Sequence, residues 1–185
     1  MSIIRSSRQL IFTSLLVLVG YSIPLFAQDT ADSLLETLRS ATPEEALRLD
    51  RQVRAEWSKS GSAAMDLLLR RGRSALDDED TKAAIEHFTA LTDHAPDFAE
   101  GWHGLARAYF AAELFGPTLD ALGRTLALNP DHYNALYGLG TMFQQFDDLQ
   151  RAEKAYLQVL DLHPHHEEAK QALETLKRDG IGRTL

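Results

Sequence analysis

Three prolines set the period of this chain. Pro96, Pro130 and Pro164 stand 34 residues apart. They lie in DHAPDFAEGW (93–102), ALNPDHYNALYGLG (127–140) and DLHPHHEEA (161–169). A fixed period of this length marks stacked supersecondary units, none of which can bury its apolar face alone. The register reaches well beyond the prolines. With units at 65–98, 99–132 and 133–166, position 8 holds Gly72, Ala106 and Gly140, and position 20 holds Ala84, Thr118 and Ala152. Position 24 holds Phe88, Leu122 and Tyr156. Small residues at 8 and 20 let two helices approach closely, and the bulky residue at 24 fills the space beside them. Each unit carries two stripes with helical spacing, such as Trp102, Leu105, Ala106 and Tyr109. DDED at 77–80, GP at 116–117 and FDD at 146–148 break the units in their middles. Gly116 reads as an N-cap followed by a first-turn proline, Pro117.

WHGLARAY in the second unit, and LYGLGTMF followed by AEKAY in the third, carry a known pattern. The chain resembles the tetratricopeptide repeat family over residues 65–166; the first unit matches less well, with Leu68 and Arg71 where the pattern has an aromatic residue and a leucine. The resemblance implies an all-α fold, a short right-handed superhelical solenoid of three helix pairs with capping helices. It also implies a concave groove, lined by the first helix of each unit, that holds an extended peptide or a partner helix. The groove residues would be Leu69, Arg73 and Leu76; His103, Arg107 and Phe110; and Asn134, Tyr137, Thr141 and Gln144. Arg73 and Arg107 are one repeat apart and should share one groove. The guanidinium fork suits carboxylates, so a protein or peptide partner with an acidic or carboxylate group is expected. The alternative is that both arginines are solvated or bonded to acids such as Asp66 and Glu100, contacts worth little at a surface. The family's chaperone-type carboxylate clamp wants Lys and Asn where the first unit has Leu69 and Arg73, so recognition of a chaperone tail is not implied.

The flanks complete the plan. EEAKQALETLKRDG at 167–180 has one apolar face, Ala169, Ala172, Leu173 and Leu176, as a capping helix should, and Gly180 ends it. Residues 28–63 form an N-terminal extension. Leu34, Leu35 and Leu38 suit a short helix; Thr42, Pro43 and Glu45 make a capping-box start, followed by the stripe Ala46, Leu49, Val53 and Trp57. SKSGS at 58–62 is a break. This pair is expected to cover the open N-terminal face of the first unit.

Residues 1–27 read as a signal peptide: Arg5 and Arg8, then the apolar run LIFTSLLVLVG at 10–20, with cleavage after Ala27. The order resembles tetratricopeptide proteins of Gram-negative envelopes, and the expected location is the periplasm. An uncleaved segment would instead leave a membrane-anchored assembly factor. The chain has no cysteine, which excludes a lipoprotein anchor, disulfides and thiolate metal sites. Its net charge of −8 falls to −10 when Arg5 and Arg8 leave with the leader. Nucleic acid and anionic membrane surfaces are therefore poor partners for the mature chain.

Catalysis finds no motif here: there is no phosphate loop, no HExxH and no nucleophile elbow, so neither an enzyme nor a cofactor is expected. HPHH at 163–166 invites a metal-handling reading. In register, however, His163, His165 and His166 fall in the inter-repeat turn, and adjacent histidines at a helix start diverge by about 100°. No metal site is assigned there, because zinc needs three or four converging ligands.

Overall fold

Residues 25–180 are described by the computed structural model, and among them are nine helices and no strand. The helices are α1 Leu25–Arg39, α2 Pro43–Trp57, α3 Ala63–Asp77, α4 Thr81–His94, α5 Ala99–Ala111, α6 Phe115–Leu128, α7 Tyr133–Gln145, α8 Leu149–Leu162 and α9 Glu167–Asp179. Helices α3 to α8 form three antiparallel pairs that stack into a solenoid, with α9 on its last pair. The leader assigned to residues 1–27 lies outside the described residues except for its last three, where α1 begins. No helix among the described residues is long and apolar enough to cross a membrane.

Ring and glycine meet inside each pair. A Cβ added to Gly72 would lie 2.7 Å from the Phe88 ring, and one added to Gly140 would lie 2.4 Å from the Tyr156 ring. Where position 24 is aromatic, position 8 has no side chain; where it is Leu122, position 8 is Ala106. Phe88 is also covered by the next unit, since a Cβ on Gly104 would come within 2.2 Å of it. Contacts this close make each unit's core continuous with its neighbour's.

The turns within the pairs repeat as strictly as the helices. Glu79, Glu113 and Asp147 each take a left-handed backbone, with φ of 60°, 58° and 58°. They are 34 residues apart, and each turns the chain into the second helix of its unit. Asp80 and Asp148 follow them and cap α4 and α8, accepting from Ala83 N at 3.0 Å and Arg151 N at 3.1 Å. In the middle unit the equivalent residue is Leu114, which has no capping side chain. The N-cap expected at Gly116 is therefore displaced by two residues. The left-handed turn at Glu113 sets the start, so Gly116 and Pro117 lie inside the first turn of α6. Position 117 still tolerates proline, because its N–H would have no partner in a first turn.

The N-terminal pair departs from expectation. Thr42 and Glu45 form the capping box, with Thr42 N donating to Glu45 Oε2 at 3.0 Å. The stripe Ala46, Leu49 and Val53 is buried as well. The surface it meets, however, is at the other end of the solenoid. It joins one cluster with Tyr133, Leu136, Tyr156, Val159, Leu162, Ala169, Leu173 and Leu176, and α1 packs on α8. The first unit keeps a separate cluster around Leu69, Phe88, Leu91 and Leu105, and its Leu67 stays exposed. Gly61, at φ 78°, turns the chain after α2, and Ser60 ties the linker to Asp66 at 2.6 Å. The pair docks where tyrosine, leucine and histidine side chains offer it a wide apolar surface.

Candidate functional site

Two inter-repeat turns make the dock for α2. His132 and His166, one repeat apart, cap α7 and α9: Nδ1 of each accepts from the backbone of Ala135 at 3.2 Å and Ala169 at 3.3 Å. Trp57 stacks on His132 with ring centres 4.5 Å apart. The Tyr133 hydroxyl donates to Asp50 at 2.7 Å, and burial, together with Asp50, raises its pKa. His165 Nε2 lies 3.0 Å from the carbonyl of Ala41, and a backbone carbonyl can only accept, so Nε2 donates. His163 is buried 5.4 Å from Tyr133, ring to ring, and its Nδ1 has no partner. The HPHH turn thus serves three separate contacts and does not converge on a point.

Between α2 on one side and α3, α5 and α7 on the other lies a cavity of about 1270 Å³. Leu47, Arg51 and Arg54 enter it from α2; Arg107 and Phe110 from α5; Asn134, Tyr137 and Thr141 from α7. Seven of the ten expected groove residues line this space, namely Arg73, His103, Arg107, Phe110, Asn134, Tyr137 and Thr141. Gln144 lines a smaller adjoining cavity, where it accepts from the Tyr156 hydroxyl at 2.9 Å. Leu69 and Leu76 do not reach the groove: α3 packs directly on α5, and both leucines are taken into the cluster around Phe88.

The floor carries an ionic network. Glu100, at the start of α5, receives Arg73 on Oε1 and His132 Nε2 on Oε2 at 2.9 Å, with His103 Nδ1 3.6 Å away. Burial raises the Glu100 carboxyl, but its two histidine neighbours outweigh that and hold it well below the usual carboxylate range. Burial lowers His103 to about 4, helped by the nearby His132 and opposed by Glu100. Arg73 also donates to Ser58 Oγ at 3.0 Å. Of the two arginines expected to face a partner, Arg73 is thus engaged from within, and Arg107 is paired with no acid among the described residues.

Glu100, His103 and His132 bring three possible ligand atoms within 4.8 Å of one another, close enough for a metal ion. The α7 cap argues against one. A backbone N–H can only donate, so His132 Nδ1 holds a lone pair and the neutral ring carries its proton on Nε2. That nitrogen then has no lone pair for a metal, and the Arg73 guanidinium sits on the carboxylate. The trio is a hydrogen-bonded anchor for α5 and α7.

The α2 wall and the His132 link are absent from the reading of the sequence alone. The stripe on α2 signalled that the helix buries a face but not against which surface. Glu100 was visible only as one possible mate for an arginine.

Comparison with known proteins places this geometry. The family profile described as tetratricopeptide repeat matches residues 69–116 and 119–176. A TPR repeat-containing protein of Rhizobium etli is 27% identical over 146 residues, covering 78% of this chain and 72% of that one. Among solved structures, MamA superposes with a TM-score of 0.59 at 22% identity, covering 82% of this chain and 81% of its own. The first TPR of Spaghetti (RPAP3), bound to the HSP90 peptide SRMEEVD, superposes with a TM-score of 0.59 at 24% identity over 62% of this chain and 91% of that one.

Proposed function

Because the chain belongs to the tetratricopeptide repeat family, whose members generally mediate protein–protein interactions, we propose that it is a non-catalytic interaction module of a bacterial cell envelope that holds a peptide or protein partner in its groove. The observation that carries this reading is the groove itself. It is about 1270 Å³, open, and lined by exposed Arg107 and Phe110 beside Tyr137 and Asn134. An open cavity of that size, above the usual range of a small-molecule pocket, suits a segment of chain better than a small metabolite. The Spaghetti repeat, whose structure holds the peptide SRMEEVD, supports a peptide partner by analogy of fold. The envelope assignment rests on residues 1–27, with the leader cut after Ala27 and the mature chain in the periplasm.

The test is in-cell cross-linking of the native chain beside a variant carrying Arg107→Glu and Phe110→Ala, with mass identification of captured proteins. A partner captured by the native chain and lost in the variant supports the groove. Identical partners in both would move binding to another face and defeat the reading. N-terminal sequencing of protein from a periplasmic fraction tests the leader: a start at Gln28 supports it, and an intact Met1 in the membrane fraction supports the anchored form.

A further inference from the structure

Arg51 and Arg107 face one cavity from opposite walls, and neither is paired with an acid among the described residues. Three of the four acids that line the cavity with them are already engaged. Asp50 is held by the Tyr133 hydroxyl and by Arg54 at 3.4 Å, and Glu100 by Arg73 and His132. Glu167 is paired with Lys170 at 2.9 Å, whereas Glu168, 68% exposed at the rim, faces His166 Nδ1, which already accepts from Ala169 N and offers it no proton. The lining's four arginines, Arg51, Arg54, Arg73 and Arg107, equal its four acids in number, a local balance in a chain with net charge −8, and of the four only Arg51 and Arg107 have no acid partner among the described residues. Each arginine also has an apolar companion. Leu47 is four residues before Arg51, one turn away on the same face of α2, and is 68% exposed. Phe110 is three residues after Arg107 on α5 and is 41% exposed. The two walls therefore present the same pair of groups, one cationic fork and one bare apolar side chain.

We propose that this groove takes an acidic segment of a partner protein, gripped from both sides: carboxylates on Arg51 and Arg107, and an apolar side chain between Leu47 and Phe110. The inference rests on the groove reading above and goes further, because half of the grip comes from α2, outside the repeats. The docked N-terminal pair completes the site. Charge complementarity selects the occupant, since a guanidinium engages a carboxylate through two parallel hydrogen bonds and repels a basic segment. The apolar pair gives the partner's side chain a place out of water.

The experiment uses the purified full chain and three fluorescent probe peptides of about ten residues, alternating Leu with Glu, Gln or Lys, read by anisotropy. The Glu probe is expected to bind at least about tenfold more tightly than the Gln probe, the Lys probe not at all, and added salt to weaken the Glu probe. Arg51→Glu and Arg107→Glu should each cost about tenfold or more. Arg71→Glu, on α3 and outside the cavity, should leave binding unchanged. Both groove arginines are exposed, so circular dichroism should show an intact fold in every variant. Loss with Arg107→Glu but not with Arg51→Glu would overturn the two-walled grip and leave the groove reading standing. Binding that ignores both substitutions would overturn both. Equal binding of the Glu and Gln probes, or none of the Glu probe, would overturn the acidic partner.

Discussion

His163 is a buried imidazole without a full set of protein partners. Burial pushes its pKa to about 4, repulsion from His166 adds to that, and Asp50, 4.0 Å from Nε2, opposes it. His103 is held at about 4 for the same first reason. A histidine whose folded pKa lies below its unfolded value binds more protons when unfolded. Its contribution is therefore fully present above the unfolded value near 6.5 and is lost as pH falls from there toward 4. Between pH 7 and pH 5 each of these two residues should remove about 2 kcal/mol of stability. Urea unfolding at the two pH values measures the loss, and His163→Leu should make the difference smaller by about that amount. Asp50 keeps the Tyr133 hydroxyl and Arg54 in that variant, so no charge is stranded. A difference unchanged by His163→Leu would show that the ring is protonated, or wet, in the folded chain.

At the scale of elements the repeat is legible, and so are its defects. Spacing alone located the helix pairs, because apolar periodicity is imposed by the core each helix must face. The capping box at Thr42 and the stop at Gly180 were legible for the same reason: few residue types satisfy those backbone groups. The start of α6 was not, because Gly116-Pro117 is a strong local signal that the left-handed turn at Glu113 overrides. That turn leaves Leu114 exposed at an N-cap where its counterparts are Asp80 and Asp148. Leu114→Asp should supply the missing acceptor and stabilise the chain by about 1 kcal/mol. The carboxylate would also sit favourably at a helix N-terminus. A melt of the variant beside the native chain reads the gain; no gain would mean that Leu114 contributes as much by contact as a cap would. Gly140→Ala is the opposite case. The new methyl would press on the Tyr156 ring, which the Gln144 bond holds in place, so about 1–3 kcal/mol should be lost in the same measurement.

For the whole molecule, the N-terminal pair changes what kind of solenoid this is. A cap on the first unit would extend the stack by local contacts. The observed docking ties residues 41–57 to turns up to 124 residues further on, through His165 to Ala41, Tyr133 to Asp50 and Trp57 on His132. This part of the fold, and with it one wall of the groove, could not be read from the stripe on α2. Amphipathicity states how much surface a helix must bury, and the two ends of a solenoid compete to bury it. The winning surface was built from Tyr133, His132 and His163, which look like turn residues until the chain is folded. Stability should therefore be uneven: α1 and α2 share the core of the third unit but not that of the first. Trp57→Ala removes the stacked ring and should weaken docking by about 2 kcal/mol, less than for a fully buried tryptophan, because Trp57 is only half-buried. Hydrogen exchange should then quicken in α1 and α2 and at the caps of α7 and α9, while α3 and α4 keep their native rates. Uniform acceleration across all helices would show instead that the pair and the repeats unfold as one unit, and that the groove cannot lose its α2 wall without losing the fold.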